Sequence, residues 1–385
     1  MHLVIVRTVA NVLDLNTYNC QELGLAKALT KKGLKVSLIM AGYENKAEKY
    51  SCEGGFVEVH FLKFNAIDQR FGYFCGIYRK LQELDPSHIQ VHDLGIFMTW
   101  YVVRWAKKNR IPCFLIQGTY QTSPRYCVKQ IETLFCSSFG KYTLKNVAGI
   151  GCKTIMASRF INSYLKRETC LTYIGLDDNK FKNPLEKNWI KELHLEGKKI
   201  LLYIGIMEER RRPHFLLDVI KNLPQDYVLL LVGKGPQWDE LKKRIEQENL
   251  KEKVYLLGKL EQKQLPSLYD QSDLFLLASR YEIYGMVLLE SMYFGLPVIS
   301  SYTAGSETII EQWKNGVIIS DFNINKWTRN IMDLCEDNER LLTMRIAAKA
   351  KITNELIWDK AVESFLKLYG INNSKKYKRV ETWHL

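Results

Sequence analysis

The chain reads as an α/β protein built from two successive doubly wound parallel sheets. Short β-rich apolar runs alternate with longer helical patterns almost throughout. That alternation halts at the turn-rich stretch TYIGLDDNKFKNP (172–184) and then restarts. A length of 385 residues predicts more than one core, and 46% apolar with 25% charged residues is the composition of an ordinary globular protein.

In the first half the strand candidates are Leu3–Val6, Val36–Met40, Val57–Phe61, Ile89–Val91 and Cys113–Ile116. Between the first two, Gln21–Lys32 predicts a helix that Gly33 closes. Leu94, Phe97, Met98, Tyr101, Val102 and Trp105 share one stripe, with Arg104, Lys107 and Lys108 opposite, so that segment reads as core-facing. After the linker, Ile200–Ile204, Tyr227–Val232, Val254–Leu257, Leu274–Leu277 and Val298–Ser300 read as strands. A last helix over Lys360–Tyr369 is placed to cross back to the first domain. The expected domains are 1–182 and 183–357, with 358–385 returning to the first. Such sheets bind ligands beyond the carboxyl ends of their strands, here facing each other across a cleft.

No apolar run approaches the roughly 20 residues that cross a bilayer; the longest, Gly95 to Val103, stops at Arg104. The opening MHLVIVR reads as a strand and lacks the cationic start and cleavage site of a secretion signal. Nine cysteines stand singly, which predicts reduced thiols in the cytosol and neither a disulfide framework nor a structural zinc. The net charge of +13 is uneven. Residues 1–180 hold 24 Lys and Arg against 14 Asp and Glu, and residues 181–370 hold 27 against 27. The tail adds Lys375, Lys376, Lys378 and Arg379 against Glu381. A basic first half attracts anionic lipid, phosphorylated substrates or nucleic acid. Nucleic acid is disfavoured, because the basic residues follow no reading motif for it.

The stretch SRYEIYGMVLLESMYFGLPVIS (279–300) carries the chemistry. Glu282 lies in the loop after the strand Leu274–Leu277, Gly285 opens a helix, and Glu290 sits inside an apolar run. An ionised carboxylate among such neighbours is costly unless a polar partner meets it. The free N–H groups of a helix start attract phosphate, and a buried carboxylate can accept paired hydrogen bonds from a cis-diol such as ribose. Diol, diphosphate and sugar would then span Glu290, the helix start and Glu282, which fits a nucleotide-sugar. Spacing alone favours chance. The buried strand before, Gly285 between and GLPVIS after shift the reading towards a ligand.

The same stretch resembles the Glu-x7-Glu signature of retaining glycosyltransferases of the GT-B fold, family four of the sugar-nucleotide classes, bacterial polysaccharide-assembly type. The resemblance runs in order through AKALTKKGLKVSLI (26–39), LDPSHIQVHD (84–93), IGLDDNKF (174–181), LLYIGIMEERRRPHFLLDVI (201–220), LLLVGKGP (229–236) and on to residue 299. It implies that Glu290 binds the ribose hydroxyls and Glu282 the donor-sugar hydroxyls. The backbone at Gly285, Met286 and Val287 would hold the diphosphate, with Gly233, Lys234 and Gly235 looping beside the nucleotide. Where the family neutralises the leaving diphosphate with an Arg and a Lys, this chain has Ile206 and Arg211, the latter flanked by Arg210 and Arg212. A guanidinium can grip diphosphate through two parallel hydrogen bonds. The family's Gly-Gly loop after strand one is replaced by LDLNTYNCQE (13–22), and a His near the reacting sugar by Gln117. Asn16, Thr17, Asp93 and Gln117 are the polar residues expected nearest the acceptor side.

The function implied is transfer of a sugar, with retention, from a nucleoside diphosphate-sugar (UDP favoured over GDP) to a glycan acceptor. That acceptor is expected to be lipid-linked, for capsule or O-antigen, in the cytoplasm or on the inner face of the membrane. The chain has no Asp-x-Asp, so no cofactor or obligatory metal is expected; Arg211 and a helix dipole would stabilise the leaving phosphate. Glu282 would act as a nucleophile or position the sugar while the departing phosphate takes the acceptor's proton; the resemblance favours the second. Aromatic and basic residues mix in 120–146, with Arg125, Lys129, Lys141 and Lys145, which together with the tail suggests a face resting on anionic lipid. A sugar phosphorylase or sugar-nucleotide epimerase would share this fold. A non-catalytic nucleotide-sugar-binding partner in polysaccharide assembly would share the site.

Overall fold

The computed structural model describes residues 1–13, 15 and 20–371; Asn16, Thr17 and the basic tail from 372 onward lie outside the described residues. The first sheet contains β1 (His2–Val6), β2 (Lys35–Gly42), β3 (Lys46–Cys52), β4 (Gly55–Ala66), β5 (Gly72–Phe74), β6 (His88–His92), β7 (Cys113–Gln117), β8 (Gly149–Cys152) and β9 (Cys170–Leu171). Its order is β3-β4-β2-β1-β6-β7-β8-β9, with β5 paired to β4. Pairing is parallel apart from the two antiparallel contacts that β4 makes with β3 and β5. The second sheet contains β10 (Lys199–Ile204), β11 (Tyr227–Val232), β12 (Val254–Gly258), β13 (Leu274–Leu277), β14 (Val298–Ser301) and β15 (Gly316–Ile319). It is wholly parallel, in the order β12-β11-β10-β13-β14-β15.

Both sheets are doubly wound, so each has one place where the chain turns back past its starting strand. These lie between β1 and β6 and between β10 and β13. Loops leaving the two strands at such a place diverge to opposite faces and open a crevice at the carboxyl ends. Strand interiors are continuously apolar, as in YVLLLV of β11, because helices cover both faces. Among the described residues no helix is long and apolar enough to cross a membrane.

The helix Trp358–Leu368 leaves the second half and lies on Gln21–Lys31 of the first. Lys31 and Lys32 pair with Asp359 and Glu363 at 2.8 and 2.6 Å, but such exposed pairs contribute little. Apolar burial decides the contact. One cluster runs from Leu3 and Leu29 through Ile174 and Leu176 of the linker and Val362 and Phe365 of this helix to Leu202 and Leu289 of the second half. Trp358 is the close fit in that seam. A Cβ on Gly24 would lie 2.2 Å from its Nε1, and one on Gly175 would lie 2.6 Å from its Cα. Gly24→Ala and Gly175→Ala should therefore each cost about 1–3 kcal/mol through overpacking, read as a lower urea midpoint; unchanged midpoints would show that the seam tolerates displacement of Trp358.

Candidate active site

The crevice of the second sheet gathers the charges. The loop after β10 carries the 3-10 turn Glu209–Arg211, and the loop after β13 carries Glu282. Arg211 Nη1 lies 2.9 Å from Glu282 Oε2, and Arg210 Nη1 lies 3.6 Å from the same oxygen. Arg210 also donates to the Tyr281 carbonyl at 2.6 Å and to Glu208 at 2.7 Å, and its own carbonyl accepts from Arg280 N at 2.8 Å. The two loops are thus stitched together. Arg211 keeps donors in reserve: Nε and Nη1 are buried without an aligned hydrogen-bond acceptor among the described residues. Arg212 does not join them. It takes a left-handed backbone (φ 52°) and lays its guanidinium over the Phe322 ring at 3.8 Å, bracing the helix Pro213–Lys221.

Gly285 (φ 81°) caps the helix Met286–Tyr293 beside this ion pair. Leu288 N donates to the Gly285 carbonyl at 2.9 Å; the N–H groups of Met286 and Val287, at the first turn, have no acceptor within the helix. Glu290 lies one and a half turns in, only 9% exposed. Its Oε2 accepts from the Tyr269 hydroxyl at 3.0 Å, and Tyr269 is itself stacked on Phe294 with ring centres 5.3 Å apart. Burial drives the Glu290 carboxyl up to about 7, against weaker pulls from Tyr269, Lys180 and Gln262. A neutral phenol therefore occupies one oxygen, and the group sits at the edge of ionisation.

The glycines at 233 and 235 have a packing task. A Cβ on Gly233 would meet the Gly205 carbonyl oxygen at 2.0 Å, and one on Gly235 would meet that of Met207 at 2.5 Å. Met207 N donates to the Lys234 carbonyl at 3.2 Å, so this loop lies backbone to backbone against the one bearing Arg210 and Arg211. The Lys234 side chain is exposed and extends over Trp238. Ile206, where the resemblance expects an Arg, is exposed, and its carbonyl accepts from the Tyr203 hydroxyl at 2.9 Å and from Glu208 N at 3.0 Å.

On the first sheet, Asp93 and Gln117 are engaged with backbone. Asp93 Oδ1 accepts from Gly118 N, Thr119 N and Thr119 Oγ1 at 2.8–2.9 Å. Gln117 Oε1 accepts from Leu94 N at 2.8 Å, and its Nε2 donates to the Thr119 carbonyl at 2.7 Å. Both fix the loops after β6 and β7. The reading of the sequence passed over a second group of charges where β1 and β6 diverge: Arg7, Glu22, His92 and Lys153. Glu22 lies 3.9 Å from Arg7 and 3.7 Å from His92, and Lys153 donates to Gln21 at 2.9 Å. Burial opposes charge on Glu22, but His92, Arg7 and Lys153 outweigh it and hold the carboxyl low. Burial drives His92 down, so the imidazole is neutral at pH 7. Arg7 and His92 stand at the carboxyl ends of strands, a signal visible only once strand order is known.

The crevices face each other. Tyr120, after β7, stacks on Tyr281, beside Glu282, with ring centres 4.7 Å apart and planes 25° apart. A Cβ on Gly118 would lie 3.4 Å from Ile283 Cγ2. A stacked pair of this kind contributes about 0.5–1.5 kcal/mol beyond area burial. Tyr120→Ala should therefore open the cleft, raising the radius of gyration in small-angle scattering, while Tyr120→Phe keeps the compact profile; identical profiles for all three would show that the rings do not tie the halves.

Residues 186–351 match the model of the family described as glycosyl transferases group 1. The chain is 30% identical over 192 residues to Spore coat protein SA of Bacillus subtilis (strain 168), covering 47% of this chain and 51% of that protein. It is 27% identical over 204 residues to the UDP-Gal:alpha-D-GlcNAc-diphosphoundecaprenol alpha-1,3-galactosyltransferase of Escherichia coli, covering 51% of this chain and 52% of the other. The chain thus spans about half the length of these curated relatives. In three dimensions it is similar to the crystal structure of Anabaena Alr3699/HepE in complex with UDP, with a TM-score of 0.74 at 15% identity, covering 96% of this chain and 100% of that one. The fold is GT-B, and the glycosyl transferases group 1 match falls on the part of the chain that holds Arg211, Glu282 and Glu290.

Proposed function

We propose that this chain is a retaining glycosyltransferase that moves a sugar from a nucleoside diphosphate-sugar, UDP-linked in preference to GDP-linked, to a lipid-linked glycan. The product would serve a cell-surface polysaccharide such as capsule or O-antigen, made in the cytoplasm or at the inner face of the membrane. The observation that carries this reading is Arg211 at 2.9 Å from Glu282, its buried Nε and Nη1 in no aligned hydrogen bond among the described residues, beside the open start of the helix that buries Glu290. The E. coli relative is named for a UDP-sugar donor and a diphosphoundecaprenol-linked acceptor, and the HepE structure holds UDP; both support the donor and acceptor classes proposed.

In this reading Glu290, ionised, accepts hydrogen bonds from two ribose hydroxyls. The N–H groups of Met286 and Val287 receive the diphosphate, and Arg211 keeps a contact with Glu282 while turning its remaining donors to a phosphate oxygen. The bond from the anomeric carbon to the phosphate oxygen breaks as the acceptor oxygen bonds on the same face. The acceptor's proton passes to the departing phosphate. Arg210, Arg211 and the helix start supply the positive charge this needs, so no metal is required by the mechanism. A carboxylate paired with two guanidinium groups is a poor nucleophile, which supports Glu282 as the residue that positions the sugar.

Incubation with a panel of nucleoside diphosphate-sugars, reading released nucleotide, should single out one donor. Glu282→Gln should then lower turnover by about a hundredfold or more while leaving nucleotide affinity nearly unchanged; near-full activity would remove Glu282 from the mechanism.

Glu290 gives a pH signature. Its folded pKa of about 7 lies above the ordinary 4.5, so the folded state holds the extra proton and stability falls as pH rises between these values. Diol binding favours the ionised form. Affinity for UDP should tighten from pH 6 to pH 8 and level off above, and Glu290→Gln should bind weakly with a flat profile. A wild-type profile that is itself flat would show that the diol is held elsewhere.

A further inference from the structure

We propose that the helix Tyr126–Phe135, with the π-helical turn Cys136–Gly140 that prolongs it, docks the protein on an anionic lipid surface. Tyr126, Ile131 and Leu134 are 75%, 56% and 72% exposed, and Phe139 follows at 42%. At about 100° per residue, Tyr126, Cys127, Ile131 and Leu134 fall within one half of the helix, while Glu132, Phe135 and Cys136 are buried on the other. Glu132 is ion-paired with Arg70, and its Oε2 accepts from Ser123 N at 2.7 Å. The helix is therefore clamped to the body by its inner side, and its apolar stripe is held outward.

The charge around the stripe identifies the occupant. Residues 94–167 contain 12 Lys and Arg against a single acidic residue, Glu132, which is buried and paired. Arg125 and Lys129 stand at one end of the stripe and Lys141 and Lys145 at the other, all exposed. Apolar side chains flanked by cations fit the boundary between acyl chains and anionic headgroups. A second copy of this chain seated on the same face would set the basic flanks against each other across a two-fold axis, which opposes dimerisation here. The helix begins a few residues after Tyr120, the ring that touches Tyr281 at the cleft, so docking would bring the cleft mouth to headgroup level. That last consequence rests on the lipid-linked acceptor proposed above; the docking itself does not.

Sedimentation of the full chain with phosphatidylcholine vesicles, with and without phosphatidylglycerol, tests it. The protein should pellet with the anionic vesicles only, and release in high salt. The exposed pair Ile131→Ser and Leu134→Ser should weaken that binding about tenfold or more, and Lys129→Glu with Lys141→Glu should weaken it at least as far. In both variants, release of nucleotide from the donor in solution should be unchanged, which separates failure of docking from failure of the transfer reading. Wild-type protein that ignores anionic vesicles, or variants that pellet like wild type, would overturn the proposal, as would a concentration-dependent dimer that the serine pair abolishes.

Discussion

An ion pair formed where a parallel sheet reverses its winding, Arg211 with Glu282, is the contact on which the rest of the cleft depends. Two loops with no sequence proximity leave β10 and β13 and would splay apart. The guanidinium groups of Arg210 and Arg211 hold them together through the Glu282 carboxylate and the Tyr281 carbonyl, while Glu208 steadies Arg210 within its own loop. A partly buried pair is a costly way to join loops if joining were its only task, since desolvation offsets much of the attraction. Its geometry points to a second task. The contact is close but unaligned: among the described residues Arg211 Nη1 and Nε lie 2.9 and 3.7 Å from Glu282 and Glu208 without an aligned hydrogen bond. That is an arrangement an arriving anion improves.

The first sheet repeats the plan with other residues. Where β1 and β6 diverge, Arg7 and Lys153 face Glu22 and a neutral His92. In the second crevice two guanidinium groups meet two carboxylates, Glu282 and Glu208, while in the first Arg7 and Lys153 outnumber the one carboxylate of Glu22. The first-turn N–H groups of Met286 and Val287 add a positive end that carries no titratable partner.

The fold was legible in the longer apolar strand runs of the sheet interiors. Tyr227–Val232 and Leu274–Leu277 were placed to the residue. Five strands were missed: β3 (KAEKYSC) is a polar edge, β8 (GIGC) is half glycine, β5 and β9 have three and two residues, and β15 (GVII) is a four-residue edge strand opened by glycine. Within the site, Glu282, Glu290 and Arg211 were legible because one short segment and one charge run carry them. Arg212 was grouped with its neighbours by adjacency, yet a left-handed backbone turns it onto Phe322. Asp93 and Gln117 were found as polar residues near the cleft, but their hydrogen bonds go to the backbone of the neighbouring loops and the Thr119 hydroxyl. Tyr120 could not be found at all, since its partner is 161 positions away and meets it only through tertiary packing.

The chain passes between the two halves twice, and both passages run side by side. Leu176 N donates to the Leu356 carbonyl at 2.7 Å, and Trp358 N donates to the Leu176 carbonyl at 3.1 Å. Trp358 fills the space between Gly24 and Gly175 immediately beyond. Two crossings bonded to each other bring both covalent links between the halves onto one line. The Tyr120–Tyr281 stack is a further tie between the halves, at the cleft. Tyr281 also presents its carbonyl to Arg210, so one residue links the stack to the charged loops. A ligand that drew on Arg210 and Arg211 would therefore act on loops that Tyr281 already ties to the first half of the chain.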